Sequence, residues 1–183
     1  MKRSEINRAI RKASQAFARH GWALPPHPRW DVTDFGLGDF PRSGLVLVNL
    51  CEQAEYCEKL MFARREQRIP MHFHRVKKED IICRWGRLVV ELGGDESAVF
   101  HLPVNGEVRE IRAARPVRLA AGERITLPPG TPHAFWSDSE YTIVGEVSTA
   151  NDDQHDNFFS SPRIGRFSVV EEDEPAAVAL VSD

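Results

Sequence analysis

Cysteine is scarce in this chain, and the few cysteines present form no pattern. Cys51, Cys57 and Cys83 are three in number with no C-x-x-C spacing. Neither a disulfide framework nor a thiolate zinc site is therefore implied, and a reducing, cytoplasmic setting fits. Long apolar runs are missing as well. No stretch approaches the roughly 18 residues of a membrane span, and the opening MKRSEINRAIRK lacks an apolar signal core, so neither export nor membrane insertion is expected. Nor does one sign of charge dominate. The chain carries 24 basic and 27 acidic residues for a net charge of −3, which argues against a dedicated nucleic-acid surface. The series Arg109, Arg112, Arg115 and Arg118 is interrupted by Pro116 and diluted by Glu107 and Glu110, so it reads as a solvated face. There are no internal repeats and no low-complexity tract. A chain of 183 residues is long enough to bury a full core as one domain.

What is present is one helix followed by many short strands. Over residues 2–20, Ile6, Ala9, Ile10, Ala13, Ala16 and Phe17 recur at helical spacing with charges between them, and Gly21 supplies a left-handed terminator. The stretch ALPPHPRWDVTDFGLGDFPRSG reads as an ordered connector. From Leu45 the pattern becomes short apolar runs bounded by turns: LVLVNL, EKLMF, RLVVEL, AVFHL, EVREI, RITLP, HAFW and YTIVGEVS. Such spacing predicts a sandwich or barrel. Gly93-Gly94-Asp95 and Asn105-Gly106 are expected to form hairpin turns, and RFSVV and VALVS to add edge strands around the acidic EEDEP. The expected organisation is a helix and connector over 1–44, a barrel over 45–170 and an acidic tail, with a possible edge strand, over 171–183.

Four potential metal ligands stand inside this pattern. His72, His74 and Glu79 lie in PMHFHRVKKEDI as H-x-H-x4-E, and His133 lies in LPPGTPHAFW. Alternate residues of a strand face the same way, so an extended 72–74 segment directs both imidazoles to one point. Glu79 joins after a local bend, and a neighbouring antiparallel strand brings in His133. Three imidazoles and a carboxylate suit Mn, Fe, Ni, Co or Zn and leave positions open for substrate. With Gly86, and with Gly122, Pro128 and Gly130 ahead of His133, the two strings resemble the paired motifs of the cupin superfamily. The fold that resemblance implies is a mainly β, double-stranded β-barrel (jelly roll), here with an N-terminal amphipathic helix. Glu66 and Ser137 depart from it, standing where the motifs usually carry Gly and Asn.

A cupin barrel does not select a chemistry, so the surroundings of the ligands matter. Lys77 lies between two of them, so its ammonium is either held near the ion or directed away from the barrel, while Lys78 is the natural outward-facing neighbour. Glu146 sits in the otherwise apolar strand YTIVGEVST, where burial of a carboxylate is costly unless it is paired or partly protonated. The loop STANDDQHDNFF groups Asn151, Asp152, Asp153, His155, Asp156 and Asn157 where it can fold over the barrel mouth. Phe73, Trp85, Phe135 and Trp136 are either flat walls for a ligand or core.

The strings WDVTDFGLGDF, PMHFH, KKEDII, ITLPPGTPHAFW and VGEVSTANDD, with the MKRSEIN opening and the EEDEP tail, resemble the D-lyxose isomerases of the cupin superfamily over nearly the whole chain. The resemblance implies a manganese-dependent enzyme that interconverts D-lyxose and D-xylulose, and often D-mannose and D-fructose, as a homodimer. It implies His72, His74, Glu79 and His133 as metal ligands and Lys77, Glu146 and Asp156 as catalytic residues around the sugar. On chemical grounds Glu146 is the expected base, its pKa raised by apolar surroundings toward the working pH. An iron-dependent cupin dioxygenase and a non-catalytic sugar-binding cupin remain open alternatives. The pair Lys77 and Glu146, which proton transfer needs and oxygen activation does not, discriminates against the first. A single N-terminal helix without a helix-turn-helix partner discriminates against a transcriptional form of the second.

Overall fold

A computed structural model describes residues 1–113 and 115–182; residue 183, the last of the expected tail, lies outside them. The elements run α1 (Arg3–Arg19), β1 (Arg29–Thr33), β2 (Leu45–Glu52), β3 (Tyr56–Arg64), β4 (Arg68–Phe73), β5 (Glu79–Trp85), β6 (Arg87–Leu92) and β7 (Val99–Val104). They continue with β8 (Glu107–Arg112), β9 (Val117–Ala120), β10 (Arg124–Leu127), β11 (His133–Ser137), β12 (Tyr141–Thr149) and β13 (Phe158–Phe159). An eight-stranded sheet has the order β1-β2-β3-β12-β5-β10-β7-β8, and a five-stranded sheet the order β13-β4-β11-β6-β9. All their strand pairings are antiparallel. This is the expected cupin jelly roll.

Two apolar clusters explain the sequence pattern. Leu45, Leu47, Met61, Ile81 and Val144 of the large sheet meet Leu88, Val90 and Phe135 of the small one inside the barrel. The alternate residues Val46, Val48, Leu60, Phe62 and Ile143 face the other way and bury Ile6, Ile10 and Phe17 of α1. Strands β2 and β3 are thus covered on both sides, which is why LVLV and LMF read as continuous apolar runs rather than as alternation.

Three local expectations are corrected. The connector contains a strand, β1, paired with β2 from Arg29↔Asn49 to Thr33↔Leu45; its prolines precede the strand and hid it. Gly93-Gly94-Asp95 does not close a hairpin, because β6 pairs with β9 and β11 while β7 pairs with β8 and β10. The glycines instead carry the chain from one sheet to the other. RFSVV and VALVS form no strands; Glu171, just after the first, makes an isolated bridge to Lys2, and Leu180 of the second makes one to Trp30. Asn105-Gly106, by contrast, closes the β7–β8 hairpin, with Val104 opposite Glu107 and φ of 55° and 85°, as a two-residue turn of the primed type requires.

The acidic tail has a definite role. Lys2 gives α1 no side-chain cap. Asp173 instead accepts from the Ser4 amide and hydroxyl at 2.9 and 2.7 Å, Glu172 pairs with Arg3 at 2.6 Å, and Glu174 accepts from Asn7 at 2.7 Å. Negative charge is thereby placed at the positive end of the helix.

Gly86 links β5 to β6 with φ 84°, and a Cβ there would stand 2.6 Å from both Ser139 Oγ and the Tyr141 carbonyl oxygen. Gly86→Ala should lower stability by about 1–3 kcal/mol from backbone strain alone. A thermal midpoint equal to the wild type's would contradict this account.

Candidate active site

Register brings the four candidate ligands together. His72 and His133 are opposite one another across β4 and β11, His74 follows two residues after His72, and a bend over residues 75–78 returns the chain so that Glu79 opens β5. All four side chains are buried, and one ligand atom from each lies within 4.8 Å of the others. His72 Nδ1 donates to the Pro70 carbonyl at 2.8 Å, His133 Nδ1 to Thr131 at 2.9 Å, and His74 Nδ1 to Asp156. A carbonyl only accepts, so each Nδ1 carries the proton and each Nε2 presents a lone pair to the centre. His133 Nε2 is 3.0 Å from Glu79 Oε1, and His74 Nε2 is 3.5 Å from it. None of these three buried atoms has a hydrogen-bond partner among the described residues. Lone pairs facing one another in a dry interior repel unless a cation lies between them, so the residues fit a divalent metal. Burial, reinforced by the neighbouring imidazoles, pushes His72 well below its ordinary range, and burial also lowers His74, which keeps the rings neutral and ready to coordinate.

From Glu79 a line of alternating charge crosses the barrel. Lys77 Nζ lies 2.9 Å from Glu79 Oε2 and 3.0 Å from Glu146 Oε1. Lys59, directly opposite Glu146 across β3 and β12, is 3.5 Å from the same carboxylate and 3.4 Å from Asp153. Arg166 then joins Asp153 at 3.3 Å to Asp31 at 2.6 Å. These are four carboxylates and three cations, alternating in sign along the line, so that each buried charge faces an opposite one. Burial would raise the Glu146 pKa, but Lys59 and Lys77 outweigh it and hold it below the ordinary value. The expectation of a raised pKa is thereby corrected: the apolar look of YTIVGEVST gives no hint of two ammoniums, Lys59 from β3 and Lys77 from the bend before β5. Burial would likewise lower Lys77, yet Glu146 and Glu79 raise it.

The remaining candidates separate. Asp156 is buried, and its carboxylate accepts the backbone amides of Arg75, Val76 and Lys77 at 2.7, 3.2 and 2.9 Å, clamping the bend between the ligands. Asp153 and Asn157 of the same loop line the cavity beside the ligands, whereas Asp152 and His155 are exposed and bonded to each other. Of the four aromatics, Phe135 lines that cavity. Phe73 stacks on Phe158, Trp85 on His20, and Trp136 lies under Arg68. Lys78 points outward, as expected.

Lys59, Arg166, Phe35 and Phe159 also line the cavity and were not singled out in the sequence. Lys59 alone left a signal, a lone cation in EKLMF on the barrel-facing parity of its strand, the same signal that marked Glu146.

Comparison with known proteins agrees with this geometry. The D-lyxose isomerase family model matches residues 27–183. The chain belongs to the D-lyxose isomerase family. A D-lyxose/D-mannose isomerase of Escherichia coli O157:H7 is 36% identical over 223 aligned residues, covering 100% of this chain and 98% of that one. A D-lyxose ketol-isomerase of Cohnella laeviribosi is 32% identical over 183 residues, covering 95% and 100%. In fold, the chain is similar to the L-ribose isomerase of Cellulomonas parahominis solved with L-ribose, with a TM-score of 0.73, 18% identity and coverage of 93% and 98%. Family membership makes the chain an aldose–ketose isomerase with a small-molecule sugar substrate, and its buried His72–His74–Glu79–His133 group is suited to a divalent metal.

Proposed function

We propose that the chain interconverts D-lyxose with D-xylulose, and D-mannose with D-fructose, by proton transfer through an enediol. The observation that carries this reading is the direct joining of the metal-ligand cluster to an ion-paired carboxylate, Glu146, through Lys77. His72, His74, Glu79 and His133 would hold the metal, which we take to be manganese. When bound, it would polarise the sugar carbonyl and stabilise the negative charge that develops on the sugar. Glu146, ionised at neutral pH, accepts the C2 proton and returns it to C1, while the hydroxyl proton passes from O2 to O1. Lys77 donates to the oxygen on which charge develops and keeps Glu146 aimed at the reacting carbons. Asp156 acts by holding the bend that places Lys77 and Glu79, and is a positioning residue. Arg166, Asp153 and Asn157 face the part of the sugar remote from the metal. One ligand group, among the described residues, is suited to a metal, which favours proton transfer over a hydride shift across two ions.

A cytoplasmic setting is supported by three unpaired thiols. No helix among the described residues is long and apolar enough to cross a membrane. A homodimer rests on resemblance; of the four outer strands, β8 is blunted by Glu107, Arg109, Glu110 and Arg112, and β13 by being two residues long.

The test is a screen of pentoses and hexoses with metal-stripped protein resupplied with Mn, Co, Ni, Fe or Zn, following ketose formation. Turnover should be highest with D-lyxose and D-mannose, whose O2 and O3 are cis, and with manganese. Preference for D-xylose or D-glucose over both would overturn the substrate assignment and leave the reaction class intact.

A further inference from the structure

The motif WDVTDF supplies Asp31, a buried carboxylate that the reaction as described does not use. Asp31 lies on β1 opposite Leu47, a residue that faces the barrel interior, so its side chain enters the barrel from the edge of the large sheet. There it stands 2.6 Å from Arg166 Nη2, with Asp31 2% and Arg166 10% exposed, a buried ion pair in which neither Asp31 oxygen meets hydrogen-bond geometry. Asp153 approaches the same guanidinium nitrogen at 3.3 Å. Arg166 lines the cavity that holds the ligand cluster, and its Nη1 is buried without a hydrogen-bond partner. A buried guanidinium with an unspent donor beside a substrate cavity is suited to a sugar hydroxyl, because an unmet buried donor is costly until an oxygen arrives.

We propose that Asp31 is a positioning residue for substrate specificity: by gripping Nη2 it fixes the plane of Arg166, so that Nη1 meets a hydroxyl of the sugar remote from the metal. The inference rests on the isomerase reading above. Arginine is suited to the task, since its planar fork lets one nitrogen be anchored while the other stays directed at a ligand. Asp31 has no contact with the reacting carbons, and acts through Arg166 on binding.

The experiment is a double-mutant cycle with Asp31→Asn, Arg166→Gln and the two combined, each loaded with manganese and assayed on D-lyxose. Asp31→Asn should raise KM about tenfold, because the buried ion pair that orients the guanidinium is lost, with kcat within about threefold of wild type and metal content unchanged. In the Arg166→Gln background the added Asp31→Asn should leave KM where Arg166→Gln alone puts it, because Asp31 then has nothing to position. The double variant also serves if Asp31→Asn fails to fold, since it removes both charges and leaves neither buried alone. The proposal is overturned by a double variant whose KM exceeds that of Arg166→Gln by more than about threefold, or by an Asp31→Asn enzyme that loses kcat or metal while KM stays put. A wild-type protein that converts no aldose at all would instead sink the isomerase reading, and this role with it.

Discussion

Replacing His133 with alanine is expected to abolish both bound metal and turnover, and His74→Ala should do the same. The prediction is strong because the four ligands act as one unit, with ligand atoms within 4.8 Å of one another and the three Nε2 atoms directed inward by backbone carbonyls. Losing one imidazole leaves Glu79, a carboxylate held well below its ordinary range because Lys77, His133 and His74 together outweigh the effect of burial, without the geometry that a divalent ion requires. The barrel itself should survive, since its apolar cluster runs from Phe35 to Val144 independently of the site. Metal content by elemental analysis, together with circular dichroism, reads both halves of the claim. Thermal unfolding adds a third measure. Metal at a hundredfold excess over its dissociation constant stabilises a native state by about 2.7 kcal/mol, so chelation should lower the wild-type midpoint and leave that of His133→Ala unmoved. Stoichiometric metal in either variant would refute the ligand set.

Glu146→Gln is expected to lower kcat by about 10²–10⁴-fold with KM little changed, the usual contribution of a positioned base. Glutamine preserves shape and removes basicity, and because Glu146 is outside the ligand group the variant should retain its metal. Deuterium from solvent should enter C1 of the ketose during wild-type turnover; its complete absence would favour hydride transfer and reduce Glu146 to positioning. A variant with near wild-type turnover would remove Glu146 from the catalytic set and turn attention to Lys77. The pH profile offers an independent check. With its pKa held below the ordinary value of 4.5 by Lys59 and Lys77, Glu146 should contribute no acid limb near neutrality. At constant metal content, any loss of kcat/KM from this group should appear only on the acid side of 4.5. The same depression means that its ion pairs stabilise the fold above the unfolded-state pKa and lose that contribution as pH falls through the folded one. An inflection near neutrality with full metal occupancy would show instead that burial dominates at this carboxylate.

The sequence by itself determined the fold class, the helix and the group of four residues suited to a metal, and the reason is periodicity. Side chains two apart on a strand share a face, so H-x-H already committed His72 and His74 to one point, and the helical spacing of Ile6, Ile10, Ala13 and Phe17 already described a face that needed a sheet to cover it. Lone charges on apolar strands, Glu146 above all, were visible for the same reason. Tertiary structure alone decided what those charges meet. Lys59 and Glu146 are far apart in the chain and adjacent across β3 and β12, and this neighbour together with Lys77 reverses the expected direction of the Glu146 pKa. Asp156, read as a group around the sugar, turns its carboxylate to three backbone amides because the loop returns beneath residues 75–77. Gly93-Gly94-Asp95, a hairpin signal locally, becomes a crossing between sheets because register with β11 and β9 claims β6 first. Asp31 and Arg166 left no periodic trace, since one lies on a strand hidden behind prolines and the other on an irregular segment. Local spacing sets which way a side chain points, but the charge it meets there is set by strands that only long-range pairing brings alongside.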